Sequence, residues 1–525
     1  MPLDLTTPGG VALALLPELV LVVGTMALIL VGVWRPQSEA QQRLVGLGSI
    51  ALLVVTLGVV GYMAARTDPG TVGVLATDNF RWAAQAILLV GAILTIAIAV
   101  DYQRRERMTA PETHVLVLLA TSGMLLLAGS RDLILTFLGI ELMSLPIYVL
   151  AASDRRKARS AEAGLKYFLL GAFSSAFMLY GMALLYGVAG ATDYHTIALR
   201  LTEAGALQSP LLKVALGMLV VGFGFKVAAV PFHLWAPDAY DGAPTPHTGF
   251  MAASVKAAAF AAFIRLFAEV FPLAIESWHM ALWWLAAATM LVGNLIALVQ
   301  RNIKRMLAYS SIAHAGYILI AVVVGVGEAS PDTVVTGSGA FLFYLFSYTL
   351  ATMGAFAVVA AMGGEGDRNI HLDDYAGLWT ARPGVALAMS VFMLALLGFP
   401  VFGGIGFFAK WYLIQAALRG GLEPQTRLAI VLVVASVISA GYYLQVVRVM
   451  FMRQRADDAP PLPRVGGLTN GVIAATAVLI LFFGFAPSQI LRGMSQSALQ
   501  PVAYSVPGAP APLPKVPQAS AALAP

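Results

Sequence analysis

Four charged residues of this chain lie where charge is costly, inside long apolar segments. Glu141 follows the run Leu-Gly-Ile, and Lys226, Lys256 and Lys410 lie among glycine, alanine and phenylalanine residues. A charge at the centre of a bilayer costs roughly 3 kcal/mol or more, which makes each a functional candidate. Lys can lose its proton when desolvated and regain it beside a carboxylate, whereas Arg stays protonated. These residue types favour proton relay, and the lone acid Glu141 is expected to pair with a Lys of a neighbouring span, most plausibly Lys226.

Other charged residues have a structural interpretation as well. A buried Lys can simply neutralise a buried Glu and hold two helices together. Glu162 and Lys166 lie four residues apart on one helix face, and both can extend toward the membrane surface. For this pair the structural and the functional interpretation stay equally open. Arg265 and Arg448 lie near helix ends and are expected to extend toward the surface too.

Histidine and hydroxyl side chains fill the space between the central lysines. Ser310, His314 and Tyr317 fall on one stripe of a helix, and His233 and His247 flank the connection that follows Lys226. A single His is more often a hydrogen-bonded packing residue, but together these groups could carry exchangeable protons. They lack the spacing of metal ligands, so the sequence predicts no metal site.

The composition requires a membrane around these residues. Of 525 residues, 59% are hydrophobic and 11% charged, and the mean hydropathy is +0.81, whereas soluble domains carry about 25% charged residues. The chain has 0 Cys, which excludes disulfides and Cys-ligated iron–sulfur clusters. Redox chemistry therefore belongs to another chain or is absent. The net charge of +5 indicates topology and predicts no nucleic-acid partner.

The hydropathy pattern predicts an all-α polytopic membrane protein with about fourteen spans of some 20 apolar residues each. The spans lie near residues 11–34, 44–64, 80–100, 112–129, 132–151, 162–188, 210–230, 245–271, 278–299, 303–326, 337–362, 384–417, 427–451 and 467–491. The Ala/Pro-rich tail from about residue 501 is expected to be disordered or extended.

The positive charges of the connections predict the orientation. Odd-numbered connections carry more than twice as many Lys and Arg residues as even-numbered ones. The positive-inside rule then places the odd connections in the cytoplasm and both termini in the periplasm of a bacterial inner membrane. No Lys or Arg precedes Arg35, so the first span lacks the basic region of a signal peptide and is expected to be retained.

Two spans contain residues that interrupt a helix. Pro231 follows Lys226 at the end of the seventh span, and Pro400, Gly403 and Gly404 interrupt the twelfth. Broken helices at corresponding positions of two halves point to a transport site.

The two halves show a weak internal repeat. GFGFK at 222–226 matches GFFAK at 406–410, and GSRDL at 129–133 resembles VQRNI at 299–303. The repeats would be 112–271 and 272–451, with residues 1–111 forming three preceding helices, 452–492 a last helix and 493–525 the tail. Each repeat has five helices, an odd number, so successive repeats enter the membrane from opposite sides and are inverted. Chance similarity in an apolar chain is the alternative.

Two long motifs resemble a known family. They are FKVAAVPFHLWAPDAYDGAP at 225–244, and GNLIAL at 293–298 with NIKRMLAYSSIAHAGY at 302–317. Both are similar to the proton-translocating antiporter-like subunits of respiratory complex I, the NADH:quinone oxidoreductase, and the resemblance covers about residues 10–490. The segment 162–168, Lys410 and the absence of a long lateral helix after the last span are typical of one of these antiporter-like chains.

The resemblance implies a fourteen-helix antiporter fold and a proton path through Glu141, Lys226, Lys256 and Lys410. It implies no cofactor on this chain, with flavin and iron–sulfur clusters on partner subunits, and partners that include the antiporter-like and quinone-site membrane chains. Two departures from the family pattern occur. The segment 400–404 has one proline where two are expected, and His247 stands where a small or apolar residue is more usual.

Two other functions remain open on the sequence. Subunits of multi-chain sodium–proton antiporters and of membrane-bound hydrogenases resemble the same family. A membrane scaffold whose lysines only form ion pairs is the third interpretation, and it predicts that neutralising Lys226 harms assembly as much as activity.

Overall fold

The computed structural model describes residues 5, 7–34, 38–66, 73–203, 205–324, 337–419, 423–455 and 462–499. The tail from about residue 501, expected to be disordered or extended, lies outside this part of the chain. Within it the regular structure is helical, without strands, and three isolated β-bridges join connecting segments. The prediction of an all-α protein is confirmed.

Twenty-one α-helices follow one another through the described residues. They are α1 Pro8–Ala14, α2 Leu16–Trp34, α3 Glu39–Arg66, α4 Asn79–Arg105, α5 Glu112–Gly129, α6 Leu133–Ala151, α7 Ala158–Ala189, α8 Tyr194–Arg200, α9 Pro210–Lys226, α10 Trp235–Gly242, α11 Thr245–Phe250, α12 Lys256–Val270, α13 Ile275–Leu298, α14 Ile303–Val324, α15 Gly337–Met362, α16 Leu378–Ala381, α17 Pro383–Leu397, α18 Ile405–Arg419, α19 Glu423–Met452, α20 Gly467–Phe485 and α21 Pro487–Gln496. A π-helical turn, Met251–Val255, joins α11 to α12.

Twelve helical segments of this part are long and apolar enough to cross a membrane. One of them is Thr245–Val270, which combines α11, the π-helical turn and α12. The seventh and twelfth predicted spans are shorter: the seventh is α9, with 17 residues, and the twelfth is divided into α17 and α18, with 15 residues each. The fourteen predicted spans therefore each have a helical counterpart.

Both predicted helix breaks are present. Residues 227–234, which include Pro231, separate α9 from α10, and residues 398–404, which include Pro400, Gly403 and Gly404, separate α17 from α18. Backbone groups freed at such breaks need partners, because lipid offers none. The indole of Trp235 donates to the Phe225 carbonyl at 3.0 Å.

The two halves carry the same backbone contact at corresponding positions. Asp132, at the start of α6, bridges to Asp193, and Asn302, at the start of α14, bridges to His371. In each case two backbone hydrogen bonds of 2.8 or 2.9 Å flank the bridge. These positions belong to the pair of segments that the sequence comparison aligned. The contact supports the repeat, and the boundaries 112–271 and 272–451 stay a prediction.

The centre of the molecule is formed by α11, α12, α14 and α15. The most apolar stretch of Thr245–Val270 is entirely buried, and those of α14 and α15 are buried almost throughout. By contrast, α2 and α3 are largely exposed. Lys256 lies on α12 and contacts α14, and Lys410 lies near Tyr317 of α14, whereas Lys226 of α9 contacts α6.

Candidate functional site

The three lysines singled out from the sequence lie in the interior. Lys226 ends α9 and Lys256 begins α12, and each is 2% exposed, while Lys410 in α18 is 6% exposed. No salt bridge joins any of them to a carboxylate in the part of the chain that the structure describes. Their hydrogen-bond partners are instead hydroxyl and carbonyl groups, which accept a hydrogen bond without fixing the charge of the amine.

Lys226 reaches across to α6. Its Nζ donates to the Ser144 hydroxyl at 2.8 Å and to the Tyr148 hydroxyl at 3.1 Å. Glu141 lies one turn before Ser144 on the same helix face, and it accepts a hydrogen bond from Ser175 at 2.5 Å. The predicted Glu141–Lys226 pair is therefore not formed here, and Ser144 and Tyr148 occupy the position of the expected carboxylate.

Lys256 faces α14. Its Nζ lies 2.6 Å from the Ser311 hydroxyl and 3.0 Å from the Ser311 carbonyl, and it donates to both. The π-helical turn ends directly before Lys256. Such turns often occur at functional sites. Ser311 and His314 are three residues apart on α14, so they lie about one helical turn apart on the same face. The hydrogen bonds to Ser311 therefore hold the amine of Lys256 about one turn from His314.

Lys410 forms a hydrogen bond at the break between α17 and α18. Its Nζ donates to the Leu397 carbonyl at 2.8 Å and to Ser436 at 3.1 Å, and it lies 4.6 Å from the centre of the Tyr317 ring. Gly398 has φ +76°, and a Cβ there would lie 2.9 Å from Cδ of Lys410. Glycine is therefore required both by the backbone conformation and by the path of the lysine side chain.

His314 lies on α14 between Ser311, which binds Lys256, and Tyr317, which lies near Lys410. Its Nε2 lies 3.0 Å from the Tyr443 hydroxyl and its Nδ1 lies 2.7 Å from the Tyr344 hydroxyl. Ser310 lies 2.5 Å from the same Tyr443 hydroxyl. The predicted stripe of Ser310, His314 and Tyr317 is thus buried and hydrogen-bonded. A neutral imidazole between two hydroxyls can accept a proton on one side and release one on the other.

The sequence interpretation missed part of this network. Tyr442 donates to the Asn294 side-chain carbonyl at 2.8 Å, and the Asn294 amide donates to Tyr317 at 2.9 Å. Together with Tyr443, these residues extend the polar chain between α13, α14 and α19. The signals that could have identified them were an Asn within an apolar span and a Tyr-Tyr pair within another.

Glu162 and Lys166 do not enter the interior. They form the expected pair at 2.7 Å, with both side chains exposed. Lys166 also contacts Asp238 at 2.9 Å, and Arg305 contacts Asp238 at 3.0 Å. Burial works to raise the pKa of Asp238, but Lys166 and Arg305 outweigh it, so its pKa is lowered. The pair belongs to a surface ion network, and its place on a proton path stays a prediction.

His233 and His247 are both buried, 7% and 3% exposed. His233 lies in the break between α9 and α10, and His247 lies on α11. Nδ1 of each ring is buried without a hydrogen-bond partner in the described protein. Each ring is therefore buried with one nitrogen that no described protein group satisfies.

Arg265 corrects an expectation. It does not extend to the surface but is fully buried, with Nη1 2.6 Å from Asp78 and 2.8 Å from Glu269. Arg131 contacts Glu269 at 2.9 Å. The ion cluster formed by these four residues joins α12 to the segments before α4 and α6. A local pattern could not predict it, because the partner Asp78 is distant in sequence. Arg448 is exposed.

No group of three or more His, Asp or Glu residues that could hold a metal ion occurs in the described ranges. The groups near the three lysines that can exchange protons are hydroxyl, imidazole and amine groups, and they lie among apolar helices.

The chain matches the family described as "NADH:quinone oxidoreductase/Mrp antiporter, TM" over residues 130–439. Its relatives include NADH-quinone oxidoreductase subunit N of Gemmatimonas aurantiaca, 50% identical over 97% of each chain. They also include subunit N of Trichlorobacter lovleyi, 42% identical over 92% of this chain and 96% of that one.

Solved structures agree with this assignment. A chain of respiratory complex I from Thermus thermophilus with bound aureothin has a TM-score of 0.75 and 36% identity, covering 90% of this chain and 98% of that one. A chain of the Mrp complex from Dietzia sp. has a TM-score of 0.77, covers 93% of this chain and 97% of that one, and at 24% identity shares the fold alone. The chain belongs to the NADH:quinone oxidoreductase/Mrp antiporter transmembrane family, and its sequence relatives there are subunit N of NADH-quinone oxidoreductase.

Proposed function

We propose that this chain carries protons across the membrane as a subunit of an NADH:quinone oxidoreductase whose electron transfer takes place on other subunits. One observation carries the proposal. Lys226, Lys256 and Lys410 are buried in the interior, and among the described residues they hydrogen-bond only to hydroxyl and carbonyl groups. An ammonium in a low-dielectric interior needs a counter-charge or must give up its proton. A lysine without a fixed carboxylate partner is therefore suited to changing its protonation state.

In this proposal Glu141 controls Lys226. A carboxylate next to an amine favours the protonated amine, and its withdrawal favours release of the proton. Glu141 hydrogen-bonds to Ser175 here, while Lys226 hydrogen-bonds to Ser144. This arrangement corresponds to the separated state, and rotation of the long lysine side chain toward Glu141 would give the paired state.

Lys226 and Lys410 are the two stations of the inverted repeats. Lys256 and His314 would join them through water, since hydroxyl groups of Ser311, Tyr344 and Tyr443 line the interval. One station exchanges protons with one aqueous phase and the other station with the opposite phase.

The proposal also assigns partners and location. This chain has 0 Cys and so lacks the thiolate ligands of iron–sulfur clusters, and its relatives are named as subunits of NADH-quinone oxidoreductase, so the proposal assigns flavin, clusters and the quinone site to other subunits. The chain spans the inner membrane of a bacterium, with both termini in the periplasm. A sodium–proton antiporter subunit is less well supported, since the Mrp chain shares 24% identity and the Gemmatimonas subunit N shares 50%.

The test is to replace each station with an arginine. Lys226→Arg and Lys410→Arg keep a positive charge but remove the ability to release a proton. We expect proton uptake into vesicles during quinone reduction to fall at least about tenfold, which corresponds to loss of a positioned proton-transfer group. Lys213→Arg is the matched control, because Lys213 lies on the same helix as Lys226 and is exposed.

The outcomes distinguish lysines that transfer protons from lysines that only hold helices together. Assembly of the complex is checked on a native gel, so that loss of activity is not confused with loss of the chain. A structural ion pair would accept Arg at least as well as Lys. Wild-type proton uptake in both Arg variants would mean that these lysines are structural and that the proposal is wrong.

A further inference from the structure

Several buried polar side chains beside α4 have no hydrogen-bond partner in the described protein. They include both ring nitrogens of His114, Nδ1 of His247 and the hydroxyls of Ser254 and Thr349. All four side chains are more than nine-tenths buried. Buried polar groups that protein does not satisfy are usually satisfied by water. We therefore expect water next to these side chains.

The inner end of this group lies in the π-helical turn that precedes Lys256. A Cβ placed on Gly91 of α4 would lie 2.1 Å from Oγ of Ser254 and 3.4 Å from a methyl carbon of Thr349. Ser254 and Thr349 therefore meet at Gly91. Ser254 belongs to the π-helical turn that leads directly into Lys256. The unsatisfied Ser254 hydroxyl thus lies two residues before Lys256 in the chain and faces α4.

The middle of the group follows the same face of α4. The hydroxyl of Thr95, one turn beyond Gly91, lies 3.9 Å from Sδ of Met353. A Cβ on Gly249 would lie 3.4 Å from the same sulfur, and Gly249 is two residues after His247 on α11. His247 on α11 and His114 on α5 both lie on helices that pack against α4. The two histidines therefore continue the polar group away from Lys256.

The outer end reaches a surface cavity. A Cβ on Gly46 of α3 would lie 3.2 Å from Nε2 of His114 and 2.6 Å from Val100. Val100 lines a cavity of 720 Å³ between α3, α4 and α20. The cavity is also lined by Arg43 and Arg104, which are exposed, so it opens to the aqueous phase.

Polar side chains also cover the floor of this cavity. Gln42 donates to Gln103, and Gln103 donates to Thr113, the residue before His114. Gln42 and Gln103 both line the cavity. The rise along α4 from Gly91 to Gln103 is about 18 Å, so the polar group spans roughly the distance from the interior to the surface.

We propose that water and the imidazoles of His114 and His247 form a proton access branch along α4, from the cavity at Arg104 to Lys256. The inference rests on the proposed function, since it names one route by which a station is loaded. A proton from cavity water binds one ring nitrogen, the opposite ring nitrogen releases its proton to the next water, and the neutral amine of Lys256 receives the last one. The side of the membrane that supplies it is the cytoplasm, if the Arg104 connection lies there as the charge distribution predicts.

The experiment uses the intact complex. His114→Leu and His247→Val, alone and combined, replace each imidazole by an apolar side chain. We expect the double variant to lower proton uptake and quinone-reductase turnover by about tenfold, the loss of positioned proton-transfer groups. His279→Leu is the matched control, because His279 is partly buried at the start of α13, outside this group. In parallel, an electron cryomicroscopy map of the wild-type complex that resolves water should show it within hydrogen-bond distance of His114 and His247.

The outcomes distinguish this branch from the proposed function. If the double variant pumps at the wild-type rate while Lys226→Arg does not, the branch is wrong and the proposed function stands. If Lys226→Arg and Lys410→Arg pump normally, the proposed function fails whatever the histidine variants do. If the double variant does not assemble, the map decides, and dry contacts around both imidazoles would overturn the branch.

Discussion

Lys226 donates a hydrogen bond to Ser144 across 2.8 Å, one turn of α6 from Glu141 on the same face. Glu141 is meanwhile held by Ser175 of α7 at 2.5 Å. The acid and the amine are therefore neighbours that are each held by a hydroxyl group. In the proposed function, a rearrangement of these side chains brings the acid and the amine together.

The first prediction concerns the acid of this pair. Glu141→Gln should lower NADH:quinone turnover at least about tenfold, because an amide cannot stabilise the protonated lysine as a carboxylate does. Glu141→Asp should keep part of the turnover, since the charge remains. Glu203→Gln is the control, an exposed acid that pairs with Arg200 at the surface. Full activity of an assembled Glu141→Gln complex would remove Glu141 from the mechanism.

The second prediction concerns the hydroxyl that links Ser310 to His314. Tyr443→Phe removes it and leaves the ring, so packing is retained while His314 loses a hydrogen bond of 3.0 Å. We expect turnover to fall about fivefold, which corresponds to one hydrogen bond of about 1 kcal/mol. Tyr62→Phe on the exposed face of α3 is the control. Equal turnover in both variants would show that protons do not pass this hydroxyl.

The third prediction concerns acid stability. Burial alone would raise the pKa of Asp78, but Arg265 and Arg131 outweigh it and hold the pKa at about 2, below the usual 3.8. The folded pKa is depressed, so the ion cluster stabilises the fold fully above the unfolded value. Its contribution, roughly 2 kcal/mol, is lost as the pH falls from about 4 to about 2.

Melting of the detergent-solubilised chain tests this. Asp78→Asn should lower the melting temperature clearly at pH 7, and the difference from wild type should shrink as the pH approaches 2. Asp373→Asn is the control, because Asp373 pairs with Arg453 at the exposed surface, where an ion pair contributes little. A difference that is independent of pH would contradict the role assigned to the Asp78 charge.

The fourth prediction concerns orientation. The chain has 0 Cys, so single cysteines can be labelled selectively. Arg155→Cys, in the exposed connection between α6 and α7, should react with an impermeant reagent from the cytoplasmic side only. Glu203→Cys, in the connection between α8 and α9, should react from the periplasmic side only. The reverse pattern would invert the topology and the side assigned to the cavity at Arg104.

Much of the fold could be predicted from the sequence, because the determining features are local. Apolar runs of about 20 residues define membrane helices wherever they occur. The interruptions at Pro231 and at 400–404 follow from the chemistry of proline and glycine, which weaken or break a helix locally. The cost of burying charge likewise singled out Lys226, Lys256 and Lys410 without knowledge of their surroundings.

Only the tertiary structure decided which groups those residues meet. Arg265 was expected at the surface and is buried against Asp78, which lies in a different part of the chain. Glu141 was expected on Lys226 and hydrogen-bonds to Ser175 instead. Tyr443 reaches His314 from another helix. Side chains on different helices meet according to how those helices pack and rotate, and this depends on contacts spread over the whole bundle, which no local pattern contains.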